Sequence, residues 1–263
     1  MKKTLILILS LFLILPLVSC SPFHMSLGGT SVSYENASAY SEGPVPSDAV
    51  FDTLYIDWVA GSVTVDASED GKVSFSETGE TEETLRYLLE DGKLTVRFCR
   101  SGVRFKEVPE KKLSVSLPAS LLKELRIETV SSSVRMVDVS ASEKTVVESV
   151  SGLCHFSGTT TKELQFESVS GSLEAEGNFG SVSSSTVSGN TELILASPAA
   201  SVSLESVSGS ATLFFPESST DGYSVDSFES LSGKLDGETS SGEGKTRISF
   251  ESMSGDLHIG TYR

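Results

Sequence analysis

The pentapeptide ESVSG at residues 148–152 is the first of six near-identical copies that run through the second half of the chain. The later copies are ESVSG at 167–171, STVSG at 185–189, ESVSG at 205–209, ESLSG at 229–233 and ESMSG at 251–255. Their glycines are separated by 19, 18, 20, 24 and 22 residues. A period of about 20 residues is typical of a repeat architecture, in which each unit buries its apolar face only by stacking on its neighbours.

Apolar residues recur at fixed distances from each glycine. They stand five and two residues before it and two and four residues after it, as Phe166, Val169, Leu173 and Ala175 do around Gly171. Alternation with period two predicts strands that have one buried face. Between the −5 and −2 positions the alternation shifts by one residue, so we expect a bend that the glycine tolerates. This pattern predicts that the column containing Val169 is buried.

Two earlier segments, around Gly61 and around Ser132, fit the same frame and bring the expected number of stacked levels to about eight. Between them, an excursion over residues 66–117 contains Asp91-Gly92 between apolar runs, which is a strong hairpin signal. Leu85–Glu90 could instead form a short helix. The predicted fold is all-β: a single elongated right-handed β-solenoid, or β-helix, with an N-terminal hairpin excursion.

The N-terminus has the pattern of a secretion signal. Lys2 and Lys3 precede an apolar run from Thr4 to Val18. That run is shorter than the roughly 20 apolar residues of a membrane-spanning helix, and small residues follow it. The tetrapeptide Leu-Val-Ser-Cys that ends at Cys20 resembles the bacterial lipobox, and this resemblance implies a lipid attached to Cys20. An ordinary secretory signal and a retained anchor are the alternatives.

These features divide the chain into a lipoprotein signal peptide over 1–20, a flexible tether over 21–48 and a β-strand-repeat domain over 49–263. The tether is predicted from its Ser, Gly and Pro content and its weak apolar patterning. We therefore expect a protein that is anchored to the membrane by its lipid and displayed on the extracytoplasmic cell surface.

The chain is strongly acidic, with 20 Lys and Arg against 36 Asp and Glu and a net charge of −16. Removal of Lys2 and Lys3 with the signal leaves 18 basic residues against 36 acidic ones, a net charge of −18. Such a charge repels nucleic acid and anionic membrane surfaces. We expect no nucleic-acid partner, and we attribute the charge mainly to the solubility of an exposed protein.

Cysteine and histidine are scarce. Cys154 occupies a position that leucine fills in other repeats, so it is predicted to be a buried small hydrophobe. A disulfide between Cys99 and Cys154 is one candidate pairing. The three histidines, His24, His155 and His258, have no evident partner in the sequence, and two thiols without a histidine cluster do not make a zinc site.

The repeated glutamates and serines are the candidates for chemistry. In-register stacking would bring Glu128, Glu148 and Glu167 together, and likewise Glu205, Glu229 and Glu251, where Ca²⁺ could compete with simple solvation of each carboxylate. Because the sequence has no loop of the EF-hand or calcium-roll type, we expect no metal and no cofactor. The serine columns are predicted to hydrogen-bond to backbone groups at the bends, so we expect no catalytic residue.

Two insertions widen the repeat spacing near the C-terminus, at residues 217–223 and 237–245. Both leave the same corner of the predicted stack, where insertions in solenoids often form a binding face. Ordinary surface loops are the alternative. The candidate binding residues at this face are Glu217, Asp221, Tyr223, Glu238 and Glu243.

The order of motifs resembles a known family. A segment of the form L-x-I-x-x-x-x-G-x-V-x-V, a hairpin region, the stretch VSLP followed by LKELRI, and the serial ESVSG copies resemble the bacterial "putative adhesin" family of β-strand repeats. The resemblance covers the chain from about residue 51 to residue 258. It implies no catalytic residues, and the departures are Ser132 for glycine and Ser185 for glutamate.

The sequence therefore predicts a non-enzymatic, adhesin-like surface lipoprotein whose domain binds a protein or glycan or has a structural role. An envelope sensor or scaffold that acts on a membrane or signalling partner is the alternative. A carbohydrate-active β-helix enzyme is disfavoured, because from residue 149 to 241 the only basic residues are Lys162 and Lys234.

Overall fold

The structure is a computed structural model that describes residues 23–26, 29–217 and 219–263, with side chains described from residue 30 onward. The signal segment and Cys20 lie outside the described residues. The described chain is all-β, and one short 3₁₀ turn at Ala37–Ala39 is its only helical element. The strands are β1 Phe23–Ser26, β2 Gly29–Val32, β3 Ser41–Glu42, β4 Thr53–Ala67, β5 Ser74–Gly79, β6 Arg86–Glu90, β7 Lys93–Arg97, β8 Val103–Phe105, β9 Lys111–Leu117, β10 Leu122–Val137, β11 Ser140–Ser149, β12 Leu153–Ser168, β13 Ser172–Thr186, β14 Thr191–Leu195, β15 Ser201–Ser206, β16 Ala211–Pro216, β17 Tyr223–Ser230, β18 Leu235–Asp236, β19 Ser240–Ser241, β20 Thr246–Ser252 and β21 Leu257–Tyr262.

Two parallel ladders organise the chain, one built from residues before each repeat glycine and one from residues after it. The upstream ladder runs β7, β4, β10, β11, β12, β13, β15, β20, β17. The downstream ladder runs β9, β4, β10, β12, β13, β14, β16, β21, β18. We call each pair of strands at the same height a level. Equivalent repeat positions lie opposite each other from level to level, as the sequence columns predict.

The excursion contributes a level of its own. β7 and β9 pair in parallel with the two halves of β4, which gives nine levels in each described ladder where the sequence suggested eight. Residues 86–90 form strand β6 and not a helix, and β6 pairs with β7 as an antiparallel hairpin. Asp91 and Gly92 both have positive φ, at 50° and 76°, as a two-residue hairpin turn with right-handed twist requires.

The last two levels are exchanged relative to their order in the chain. β20 and β21, which carry the sixth copy, lie between the fourth copy and the fifth, because β20 pairs with β15 on one edge and β17 on the other. Glu205 is therefore opposite Glu251, and Glu229 is outermost. The predicted sequential stack is wrong at this point. The fifth and sixth copies have equivalent columns, so the sequence pattern does not distinguish the two orders.

The burial pattern corrects the predicted bend. From the Ser132 copy onward, alternation continues without a shift through the −3 position, so the serine or threonine there is buried or half-buried and the aliphatic residue at −2 is at least partly exposed, whereas Trp58 and Val59 of the Gly61 copy are both buried. Ser168 is buried, whereas Val169 is 46% exposed. The backbone N–H of Gly171 donates to Ser168 Oγ at 2.7 Å, and Gly209 and Gly255 repeat this bond with Ser206 and Ser252. The hydroxyl satisfies a backbone donor inside the bend, which a valine cannot do.

The second serine column links neighbouring levels. Ser151 Oγ donates to the carbonyl oxygen of Val130 at 3.3 Å, and Ser170 Oγ donates to that of Val150 at 3.2 Å. Ser188, Ser208 and Ser232 make the corresponding bond. The prediction that the serine columns satisfy backbone groups at the bends is confirmed.

Each repeat glycine lies against the backbone of the neighbouring level. A Cβ at Gly189 would lie 1.7 Å from the carbonyl oxygen of Gly171, and a Cβ at Gly209 would lie 1.9 Å from that of Gly189. Neither glycine has positive φ. Close approach of backbones, and not a left-handed conformation, therefore requires glycine here.

The N-terminal segment described from Gly29 to Asp48 is part of the folded domain and not a free coil. Val32 and Val45 are buried in the core, and β2 pairs with β8 in an antiparallel arrangement. The Tyr34 hydroxyl donates to the carbonyl oxygen of Cys99 at 3.0 Å. The polar composition of this segment predicts a tether, because the few apolar residues that pack it against the domain are too sparse to form a recognisable pattern.

Cys99 and Cys154 are both free thiols and both fully buried. Cys154 packs in the core as a small hydrophobe, as its column predicts. The candidate disulfide is not formed. Burial raises the thiol pKa of each cysteine to about 12, so both are held as neutral thiols.

Candidate binding surfaces

A row of carboxylates follows one face of the upstream ladder, where Asp57 and Glu128 are buried and the later members are half-buried or exposed. Its members lie opposite one another on successive levels, with Ser185 interrupting the row. In spatial order this acidic row is Asp57, Glu128, Glu148, Glu167, Ser185, Glu205, Glu251 and Glu229. The parallel register alone brings these side chains together, because each occupies the same repeat position.

The two halves of the acidic row differ in how their charge is balanced. In the first half, Arg97 forms an ion pair with Asp57, and Arg126 bridges Glu128 at 2.7 Å and Glu148 at 2.6 Å. In the second half, Glu205, Glu251 and Glu229 have no ion pair among the described residues. The second half is therefore a run of uncompensated negative charge.

Burial and crowding raise several carboxyl pKa values in this row. Burial raises the pKa of Asp57 to about 7, although the neighbouring Arg97 guanidinium opposes this shift. Burial also raises the pKa of Glu148, and the charges of Glu128 and Glu167 add to the effect. The Glu251 pKa is raised by burial and then by Glu229 and Glu205.

We expect the folded state to lose stability as pH rises from about 4 to about 7. A raised carboxyl pKa means that the folded chain still binds protons that the unfolded chain has released, so the free energy of unfolding falls with pH over this interval. Thermal melting at pH 5 and pH 8 tests this, with a midpoint several degrees higher at pH 5 expected. Glu251→Gln should reduce the difference, whereas the exposed Glu192→Gln should not. A midpoint that rises with pH would contradict the prediction.

An aliphatic row lies beside the acidic row. It consists of the −2 residues that turn outward at the bends, in spatial order Val130, Val150, Val169, Val187, Val207, Met253 and Leu231. Val150 and Val169 are each 46% exposed, and Leu231 is 69% exposed. The other four are half-buried, and Val130 packs against the core. Single exposed aliphatic residues are ordinary, but a row of partly exposed ones beside carboxylates is an amphipathic surface of the kind found at interaction sites.

A concave surface lies at the corner where each downstream strand returns to the next level. It encloses about 360 Å³ and is lined by hydroxyl-bearing residues, Asn178, Lys162 and the apolar Leu122, Phe179 and Pro198. Ser140, Thr160 and Asn178 lie opposite one another on consecutive levels, so the groove runs across the strands. Lys162 Nζ is held by Glu143, at 2.7 Å from Oε1.

Cationic side chains are buried at the first level. The Arg97 guanidinium lies 5.1 Å from the ring centroids of both Tyr34 and Tyr55. Lys111 Nζ donates to the carbonyl oxygens of Phe98 at 2.7 Å and Glu83 at 2.9 Å and pairs with Glu77. Each cation has a carboxylate partner and further contacts, as a buried charge requires. Both clusters hold the N-terminal level together.

Four of the five candidate residues, Asp221, Tyr223, Glu238 and Glu243, lie in two loops that pair with each other, whereas Glu217 pairs with Arg263. Backbone N–H groups of Glu243 and Lys245 donate to the carbonyl oxygens of Thr220 and Asp221. Glu217, Glu238 and Glu243 are exposed, and Asp221 pairs with Lys245. The Tyr223 ring is buried, stacks on Phe215 at 4.6 Å, and its hydroxyl donates to the Glu238 carbonyl oxygen. Tyr223 therefore joins the loops to the core.

The described histidines each contact a carboxylate. His155 Nδ1 lies 3.2 Å from Glu174, and His258 Nδ1 lies 2.8 Å from Asp236. The Asp236 contact joins the two exchanged levels, so sequence order could not reveal it. His24 lies in the part of the chain whose side chains are not described.

Among the described residues, no group of three or more His, Cys, Asp and Glu side chains is arranged to hold a metal ion. No helix in residues 23–26, 29–217 and 219–263 has the length and apolar character to cross a membrane.

The part of the sequence that forms the first levels matches a known family. Residues 51–179 match the family Toastrack DUF4097. This Toastrack segment begins two residues before β4 and ends within β13, so it covers about half of the chain, and the family is a domain of unknown function. The predicted family resemblance is confirmed for the recognised segment. The exchanged levels lie C-terminal to it.

Several crystal structures are similar to the chain. One, described as a "putative adhesin" from Bacteroides fragilis, has 12% identity and a TM-score of 0.47, with 83% of this chain and 98% of that chain covered. A "putative adhesin" from Parabacteroides distasonis has 14% identity and a TM-score of 0.44, covering 83% and 96%. A "putative lipid binding protein" from the same organism has 15% identity and a TM-score of 0.45, covering 89% and 100%. No curated protein matches the sequence.

Proposed function

We propose that this chain is a non-enzymatic, adhesin-like surface lipoprotein that binds an extended partner along its acidic and aliphatic rows. The observation that carries the proposal is the parallel register, which repeats the same two side-chain types on level after level. The acidic row covers eight levels and the aliphatic row seven, so at the usual strand spacing of ~4.8 Å they would extend about 34 Å and about 29 Å. A partner that is itself extended could engage several levels at once, and each added contact would increase the avidity.

In this proposal the levels wind as a right-handed β-solenoid, which would give the rows a rigid support. The anchor is a lipid on Cys20. A non-enzymatic role is supported by the serine columns, whose hydroxyls are hydrogen-bonded to backbone groups.

Binding to isolated cell envelopes and to extracellular-matrix fractions tests the surface role. We expect Glu148→Gln combined with Glu167→Gln to reduce the bound fraction several-fold, because both carboxylates lie in the proposed contact face. The matched control is Glu174→Gln combined with Glu192→Gln. Those two exposed glutamates lie opposite each other on the downstream ladder, and the double substitution removes the same amount of negative charge. Equal loss in both double variants would show a general charge effect and remove the basis of the proposal.

Fractionation of cells that express Cys20→Ala tests the anchor. Without the thiol no lipid can be attached, so we expect the protein to remain unprocessed or to appear in the medium. The Cys99→Ala variant controls for general effects of removing a thiol, since that cysteine is buried in the core. A Cys20→Ala protein that is processed normally and stays with the membrane would contradict lipid attachment.

A further inference from the structure

The outermost level of the stack, β17 and β18, is an open edge. β17 pairs with β20 along its inner edge, and on its outer edge it meets β19 only at Tyr223 and Ser224. One further hydrogen bond on this outer edge runs from the Val225 N–H to the carbonyl oxygen of Thr239. Among the described residues, no strand pairs with the outer edge of residues 226–230, and β18 pairs only with β21.

The core is also uncovered at this level. Phe250, one level inside, is 1% exposed, whereas Phe228 stacks on it at 5.6 Å and is only half-buried. Leu235 is likewise half-buried, whereas its partner Leu257 is fully buried. The end of a repeat stack therefore presents both unpaired backbone groups and apolar side chains, which is the combination that strand addition uses.

The negative charge of this edge favours a cationic partner segment over a second copy of the chain. Glu229 is exposed, has no ion pair among the described residues, and ends the uncompensated run Glu205–Glu251–Glu229. A second copy of this chain would bring another unpaired Glu229 to the same edge, whereas Asp226 is paired with Arg247. The irregularity at Asp226 in the β17–β20 pairing further disfavours edge-to-edge self-association.

We propose that residues 226–236 accept an extended peptide segment of a partner protein as an added strand, with a lysine or arginine beside Glu229 and an apolar residue over Phe228. The added strand would continue the ladder, cover Phe228 and Leu235, and neutralise the last carboxylate of the row. This inference names a partner class and a site separate from the proposed face around Glu148 and Glu167. Its failure would leave the envelope-binding result unaffected.

The chain itself supplies a suitable probe. Residues 245–255, KTRISFESMSG, already pair in register with β15 on one edge and with β17 on the other. A synthetic peptide of this sequence places Glu251 beside Glu229, and the same peptide with Glu251→Lys places a cation there. Titration of the full chain with both peptides, followed by calorimetry, measures the preference.

We expect the Glu251→Lys peptide to bind about tenfold more tightly than the parent peptide, because an opposite-charge cross-strand pair replaces a like-charge pair. The protein variant Glu229→Lys should reverse this preference. Glu192→Lys, at an exposed glutamate of the downstream ladder outside the proposed face, should leave both affinities unchanged. Amide hydrogen exchange at residues 226–230 should slow when the Glu251→Lys peptide is bound.

Equal affinities for the two peptides, absence of binding, or a preference that Glu229→Lys does not reverse would overturn the proposal. An equal response to Glu192→Lys would place the peptide elsewhere and overturn the proposal too. A concentration-dependent dimer of the unmodified chain that the peptide displaces would assign the edge to a second copy instead.

Discussion

Phe166→Asp is expected to abolish the cooperative unfolding transition of the repeat region. Phe166 is 1% exposed and lies in register between Val147 and Ser184 of the neighbouring levels. The substitution removes a large apolar side chain, which alone costs about 3–5 kcal/mol, and buries a charge that has no partner. The total is comparable to the whole stability of a typical domain. Urea unfolding followed by circular dichroism measures the effect.

The matched control is Val169→Asp, three residues further along the same repeat. Its side chain is 46% exposed at the bend, so we expect a change in unfolding free energy of no more than about 1 kcal/mol. The sequence pattern alone predicts the opposite, since it assigns Val169 to the core. If Val169→Asp unfolds the protein as Phe166→Asp does, the burial pattern described for the bends is incorrect.

Gly189→Val is the second substitution with a large expected effect. Its Cβ would lie 1.7 Å from the carbonyl oxygen of Gly171, and the levels on both sides prevent the backbone from moving away. Separating two levels would break several interlevel hydrogen bonds and open the core. We expect a loss of several kcal/mol and a large fall in the melting temperature.

Ser132→Ala provides the contrast within the same column. Ser132 is fully buried, and its Oγ has no hydrogen-bond partner, so removal of the hydroxyl should be neutral or slightly stabilising. On the two neighbouring levels, Gly61 and Gly152 have positive φ, at 103° and 122°. The glycine column therefore accommodates the Ser132 side chain between them. A severe loss in Ser132→Ala together with a mild one in Gly189→Val would contradict the close-approach explanation for the glycines.

Much of the candidate surface could be predicted from the sequence, because it depends on repetition. A parallel in-register stack places equal repeat positions opposite each other, so the glutamate column and its interruption at Ser185 follow from alignment of the copies. The sequence does not show that Arg97 and Arg126 balance the negative charge in the first half of the acidic row. Arg97 reaches Asp57 only because the excursion folds back as an additional level.

The side-chain orientation at the bends was mispredicted for a physical reason. Hydrophobicity favours burial of valine over serine, but inside the bend the N–H of the glycine needs an acceptor, and a buried backbone donor without one is costly. The hydroxyl of Ser168 supplies that acceptor, so the valine turns outward. Rules based on apolar periodicity do not include this backbone requirement.

The sequence by itself determined the all-β character, the repeat register and the stacking of like residues, because strand alternation and repeat period are local properties. Only the tertiary structure decided that the sixth copy lies between the fourth and fifth, that the excursion adds a level, and that residues 29–48 pack against the domain. These features depend on which strand pairs with which over long separations. Because the repeats are nearly identical, each strand has several equivalent pairing partners. Which partner it takes depends on loop length and on how well the core is covered, and the repeat pattern contains no information on either.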